Sequence, residues 1–278
     1  MFADDSAVFA DNDVVATDTL YDIATIAQSY GLKINVDKTK VLTTDGSRAT
    51  VYLNGVQIEQ VQEFKYLGSL IKEKKVASSN ETHARIGQAA HAFASLKWFV
   101  WRKNNISLMT KIRLFRTLVI PILLYGSETC TLLKTDLDKL ETFQLKCLRQ
   151  ILGISLWDRI TNNAIRTRCQ QQPSVKTQIQ QRRLRWFGHV CRMDINRIPH
   201  QLLFRQRPTL WKIQHSAPKK TWTKHVEEDL KNQRLDLNQA KLAAMDRGHW
   251  RGIVEKARLP AAPTAAYWLR GHPQPNAS

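Results

Sequence analysis

Two adjacent aspartates, Asp4 and Asp5, stand at the start of the chain within Met1-Phe2-Ala3-Asp4-Asp5-Ser6-Ala7-Val8-Phe9-Ala10. Apolar residues on both sides of an acidic pair suit a tight turn between two short strands, with the carboxylates at its tip. Neighbouring carboxylates repel, so ionising both is costly unless a cation lies between them. Hard carboxylate oxygens suit Mg²⁺, and two such ions can clamp the attacking and leaving oxygens of a phosphoryl transfer. A solvated Asp-Asp surface turn is the plainer reading of the same residues. A second chemistry-bearing set lies far downstream. Between positions 177 and 225 stand Arg182, Arg183, Arg185, Arg192, Arg197, Arg205, Arg207, Lys212, Lys219, Lys220 and Lys224, opposed by Asp194, with Trp186, Phe187, Trp211 and Trp222 interleaved. Arginines beside aromatic rings can grip phosphates and stack bases. Equally, the rings can fill a small core while the arginines face water.

Charge follows the same division. Residues 1–60 hold four Lys/Arg against nine Asp/Glu, a net −5, so in a chain of net charge +18 the remainder carries +23. An acidic head on a basic body suits a polyanion held by the body and acted upon at the head. The four cysteines, Cys130, Cys147, Cys169 and Cys191, form no C-x-x-C pair, so neither a disulfide framework nor a zinc site is expected. Cys169, His189 and Cys191 read as packing residues. The longest apolar run, residues 118–125 around Pro121, is too short to cross a bilayer. Asp4 and Asp5 sit where the apolar stretch of a secretory signal would begin. An intracellular chain without a membrane partner is the expectation.

The elements that must position these groups follow in order. Asp11, Asp13 and Asp18 are acidic starts for a helix through Leu20, Ile23, Ala24, Ile26 and Ala27, closed by Gly31. Residues 32–36 and 41–43 read as short extended pieces. Asn54-Gly55 between residues 50–53 and 56–58 is a hairpin signal, and residues 64–71 read as a further strand with a central glycine. From Asn80 the apolar period becomes helical. Ile86, Ala89, Ala90, Phe93, Leu96 and Val100 share one face, and Ile112, Phe115, Leu118, Val119, Ile122 and Leu123 another. Leu137, Leu140, Phe143, Cys147, Leu148 and Ile151 make a third stripe. The fold class is therefore α+β, a small strand-bearing part to about residue 75 followed by helices. The proline-rich residues 258–278 read as a disordered tail.

Three features in this order resemble the reverse transcriptase of non-LTR (LINE-type) retrotransposons. They are Phe2-Ala3-Asp4-Asp5; Gly31-Leu32-Lys33-Ile34-Asn35 with Lys38-Thr39-Lys40; and Phe64-Lys65-Tyr66-Leu67-Gly68-Ser69. The likeness continues through Leu114-Phe115-Arg116 to Leu124-Tyr125-Gly126-Ser127-Glu128, Arg183-Leu184-Arg185-Trp186-Phe187-Gly188-His189-Val190, and Ala244-Met245-Asp246-Arg247 with Trp250-Arg251. The resemblance implies a truncated polymerase palm with a primer-grip hairpin at 1–75, a helical thumb at 80–170 and a basic helical C-terminal region at 171–257. It implies Mg²⁺ on Asp4 and Asp5, and either Lys38 or Lys40 beside the leaving pyrophosphate. Tyr66, Leu67 and Gly68 would form the turn against which the primer end rests. Partners would be an RNA template and a DNA primer or their hybrid, and target-primed insertion would place the protein in the nucleus. In the family a third aspartate on an earlier strand completes the metal set, whereas this sequence begins at the turn. The expectations are no polymerase activity from this polypeptide alone, and an open sheet edge that seeks a partner. The alternative is a non-catalytic RNA- or DNA-binding helical module, with Arg182, Arg183, Arg185, Trp186 and Arg192 on the polyanion.

Overall fold

Helix α1 (Asp13–Ser29) begins where the Asn12 side chain accepts a hydrogen bond from the Val15 amide, 3.0 Å away, and it ends before Gly31 at φ +72°. Asn12 thus holds the capping place expected of its acidic neighbours. Asp13 instead accepts from the Thr50 amide at 2.8 Å, and one turn on Thr17 Oγ1 accepts from the Tyr52 amide at 3.4 Å. Two helix side chains therefore cover backbone donors beside the second strand. The structure is a computed structural model that describes residues 5–73, 78–204 and 221–257. By contact it divides into two units, 1–81 and 82–278.

The first unit is built from short pairs of strands. They are β1 (Lys40–Val41), β2 (Tyr52–Leu53), β3 (Val56–Gln57), β4 (Glu59–Gln60), β5 (Glu63–Tyr66) and β6 (Ser69–Lys72). β1 runs parallel to β4, while β2–β3 and β5–β6 are antiparallel hairpins. Asn54 and Gly55 turn the first hairpin at φ +52° and +78°. Positive φ at both central residues is what a two-residue turn matched to strand twist requires. Leu67 and Gly68 do the same at +47° and +82°. Residues 64–71 are therefore a hairpin and not a single strand, with Gly68 serving the turn. Residues 32–36 form no strand among the described residues. Asn35 turns the chain there, its side chain accepting from the Lys38 amide at 3.0 Å and its carbonyl from the Thr39 amide at 3.0 Å. Among the described residues Ala49, Val51, Leu53 and Ile58 are the buried apolar ones of this unit, and α1 buries none of its own.

The second unit is helical. Helix α2 (Ser78–Ser95) leads into it and runs on to a π-helical turn, Lys97–Trp101. Then come α3 (Leu108–Leu114), a second π-helical turn Phe115–Val119, and α4 (Ile120–Leu123). Pro121 has no amide hydrogen to extend the i→i−4 ladder, and the wider turn lies just before it. The extra residue per turn shifts the expected stripe. Ile112, Phe115, Val119 and Leu123 are buried, while Leu118 is 43% exposed. Next are α5 (Lys134–Leu152), closed by Gly153 at φ +68°, α6 (Asn162–Arg168) and α7 (Val175–Cys191). The described part ends with α8 (Ile198–Phe204), α9 (Trp222–Lys231), α10 (Leu237–Met245) and α11 (Arg247–Lys256). Ser107, Thr161, Ser174, Thr221 and Asp236 each accept an amide hydrogen bond at a helix start, satisfying donors that the helix cannot.

Two apolar clusters fill this unit, one gathering residues from Ala89 to Ile179 and the other from Leu184 to Ala257. Helix α7 belongs to both, with Val175 and Ile179 in the first and Leu184, Phe187 and Cys191 in the second. Among the described residues helix makes up 58% and strand 7%, so the class is α+β dominated by helices.

Candidate nucleic-acid interface

The acidic turn is the first candidate. Asp4 lies outside the described residues and Asp5 is exposed. Among the described residues no group of three or more His, Cys, Asp or Glu is placed to hold a metal ion. Lys40 stands opposite Glu59 in the β1–β4 pair, its Nζ 2.5 Å from Glu59 Oε2, whereas Lys38 is exposed. The two lysines that the sequence leaves equivalent thus differ, one spent on a strand-pair ion bridge and the other in solvent. Tyr66 is half-buried at the end of β5, and Leu67-Gly68 is the turn itself.

The basic stretch behaves differently from its composition. Arg183 is 4% exposed, and its guanidinium donates to Asp229 Oδ2 at 3.0 Å. Burial pushes the Asp229 carboxyl up to about 6 although Arg183 pulls it down, and burial likewise lowers Arg183. Arg182 donates to the Leu124 carbonyl at 2.7 Å, and Arg192 donates to the Ala244 carbonyl. Trp222 donates to the Glu128 carbonyl at 2.7 Å, and Phe187 is fully buried. Trp186 is half-buried with its ring centroid 5.4 Å from that of His189, and Arg185 is exposed. Arg205, Arg207, Trp211, Lys212, Lys219 and Lys220 lie outside the described residues, as do residues 258–278.

Residues 124–128 prove to be a junction. Gly126 turns the chain at φ +70°, and Ser127 Oγ donates to the Leu124 carbonyl at 2.8 Å. Arg182 from α7 and Trp222 from α9 hold the two ends of this segment, and the Arg85 guanidinium lies 4.6 Å from the Tyr125 ring centroid. The other recurring segments also meet. A Cβ on Gly188 would stand 2.1 Å from Trp250 Nε1, so only glycine lets α11 seat its indole on α7, where it donates to the Leu184 carbonyl at 3.0 Å. Asp246 caps α11, and the amides of His249 and Gly248 hold its carboxyl below the usual range.

A transposon-derived protein of Caenorhabditis elegans is 27% identical over 273 residues, covering 92% of this chain and 94% of that protein. The RNA-directed DNA polymerase from the mobile element jockey of Drosophila melanogaster is 31% identical over 163 residues, and that of Drosophila funebris is 28% identical over 166. The chain is related to the reverse transcriptases of LINE-type retrotransposons. It matches 55% of its own length to each jockey polymerase but spans only 18% of theirs. No protein-family model matches the chain, and no solved structure matches it. No helix among the described residues is long and apolar enough to cross a membrane.

For a relative of reverse transcriptases, the resemblance-bearing segments of the second unit are largely architectural. Sequence reasoning missed the clamps Arg182–Leu124, Trp222–Glu128, Arg192–Ala244 and Gly188–Trp250. The sequence signal for the last of these is Gly188, a lone glycine between Phe187 and Val190 in an apolar helical run.

Proposed function

We propose that this chain corresponds to the end of the palm, the thumb and the basic C-terminal region of a LINE-type reverse transcriptase, and that its own work is to hold nucleic acid through phosphates. The observation that carries the reading is the 31% identity to an RNA-directed DNA polymerase over 163 residues. The net +23 beyond residue 60 supports it, since neutralising phosphates with lysine and arginine is the sequence-independent part of such binding. Its partners would be an RNA template, a DNA primer or their hybrid, met in the nucleus. Asp4 and Asp5 are then two members of a carboxylate set whose third aspartate the family carries on an earlier strand. Lys38, not the ion-paired Lys40, is the lysine assigned to the pyrophosphate end. Tyr66, Leu67 and Gly68 form the turn under the primer terminus. Among the described residues each strand of the first unit pairs with one other, and the remaining edges are where further palm strands would pair.

Arg185 and Arg197, both exposed, take the phosphate role, while Arg182, Arg183 and Arg192 are engaged inside the fold. Filter binding to RNA across a salt series tests this. Affinity should fall steeply with salt, and Arg185→Glu with Arg197→Glu should flatten that dependence by about one to two phosphates' worth. Binding indifferent to salt would overturn the reading. Deleting 177–225 would not serve, because α7 is part of both apolar clusters. In Mg²⁺ or Mn²⁺ the polypeptide alone should give no primer extension, and extension abolished by Asp4→Ala would overturn that part.

A further inference from the structure

Exposed aromatic and cationic groups gather at the π-helical turn that follows α2. Residues 97–103 read Lys-Trp-Phe-Val-Trp-Arg-Lys. Their π-helical turn puts neighbouring side chains on different faces. Trp101 turns inward, 4% exposed, donating to the Phe93 carbonyl at 2.7 Å and stacked on the Phe93 ring at 4.9 Å. That anchor leaves Trp98 at 61% exposure and Phe99 at 74%. The Arg102 guanidinium lies 4.3 Å from the Trp98 ring centroid and Lys97 Nζ 5.5 Å. Beside them opens a cleft of about 600 Å³, lined by Lys97, Trp101, Arg102, Asn104, Lys111 and residues 150–153. Three of its lining residues are cations and none is a carboxylate. Lys111 is buried and donates to the Trp101 carbonyl at 3.0 Å, so its charge is fixed at the cleft wall.

A cleft of this volume is the size of a site for one small ligand. Its charge selects an anion, and the exposed rings at its rim offer flat apolar faces. Those two demands meet in one ligand chemistry, a phosphodiester strand with unpaired bases. A duplex keeps its base faces stacked and has nothing to offer Trp98 and Phe99. We propose that residues 97–103 and the adjoining cleft form a binding site for single-stranded polynucleotide, Lys97, Arg102 and Lys111 facing phosphates and Trp98 and Phe99 stacking bases. The site rests on the nucleic-acid reading above and narrows it to the form of strand and the place where it lies.

The test uses the full chain and fluorescence anisotropy of a labelled twelve-nucleotide oligo(U), the matching oligo(dT), and a blunt RNA duplex. Trp98→Ala with Phe99→Ala should weaken both single strands about tenfold, as loss of a stacked base does, and leave duplex affinity unchanged. Lys97→Gln with Arg102→Gln should lower the single-strand salt slope by about 0.7 per phosphate lost. All four side chains are exposed, so an unchanged melting temperature is the control for folding. If the parent binds single strands and both variants bind them equally well, this site is wrong and the general reading stands. Equal loss for duplex and single strand overturns the single-strand assignment. A parent that binds no polynucleotide overturns the general reading together with the site. A variant effect on oligo(U) alone would assign the site to RNA.

Discussion

Arg183 carries a charge into the interior of the second unit, where Asp229 at 3.0 Å meets it, and neither group is free of the cost of burial. The folded protein holds the Asp229 proton up to about 6, above the ordinary 3.8 of the unfolded chain. A carboxyl raised on folding binds its proton more tightly in the native state, so this group subtracts stability as pH rises from about 4 to about 6, and the subtraction is complete above that. Removing the guanidinium at neutral pH leaves Asp229 buried and unpaired. Arg183→Met should therefore lower the urea-unfolding free energy by about 3 kcal/mol at pH 7.5. At pH 5, where Asp229 holds its proton, the loss should be smaller. Arg183→Met with Asp229→Leu should recover most of it, because an apolar pair of similar volume replaces the ion pair. An unchanged loss at both pH values would show that packing of the arginine stem is what matters.

At the scale of elements, α7 decides the arrangement of the second unit. It presents Val175 and Ile179 to one cluster, Leu184, Phe187 and Cys191 to the other, and Gly188 to the indole of Trp250. A methyl group on Gly188 would stand 2.1 Å from Trp250 Nε1 and 2.4 Å from Cδ1, so the ring must move. Gly188→Ala should destabilise by about 3 kcal/mol, the upper range for overpacking, and weaken the near-ultraviolet circular dichroism of the displaced indole. Thermal melts of the two proteins measure the first effect. Much of this was legible beforehand as type and not as partner. The stripes Ile112, Phe115, Val119 and Leu140, Cys147, Leu148, Ile151 are in the core as their spacing requires. The Asn54-Gly55 hairpin follows from its turn residues, since both positions need positive φ. Residues 64–71 misled because Leu67 carries none of the usual turn chemistry, yet it takes φ +47°. The arginines of α7 misled because a helix-borne guanidinium looks the same in sequence whether it meets phosphate or a backbone carbonyl. Only the fold brings Leu124 and Ala244 within reach of Arg182 and Arg192.

At the scale of the whole molecule, the two units are made to different standards. In the second, two clusters gather buried aromatic and aliphatic side chains from nearly every helix. In the first, the buried apolar residues among those described are Ala49, Val51, Leu53 and Ile58, all within one short stretch. Its helix α1 leaves Val14 69% and Ile26 61% exposed, and Tyr30 just beyond the helix is 79% exposed. The described strands, two to four residues long and joined in pairs, add few ladder bonds to offset the entropy of ordering the chain. Opening of the first unit should therefore lie far below global unfolding in free energy, as regions with few buried apolar contacts do. Limited proteolysis under native conditions should cut first within residues 5–73 and leave a helical product beginning near residue 80. Hydrogen exchange should agree, with amides of β2, β3, β5 and β6 exchanging well before those of α5 and α7. Adding a polypeptide that supplies partner strands should slow both cleavage and exchange in the first unit, because new pairing covers strand edges. Protection of the hairpins equal to that of α7 in the chain alone would refute the argument and show that the first unit is held by contacts its burial does not reveal.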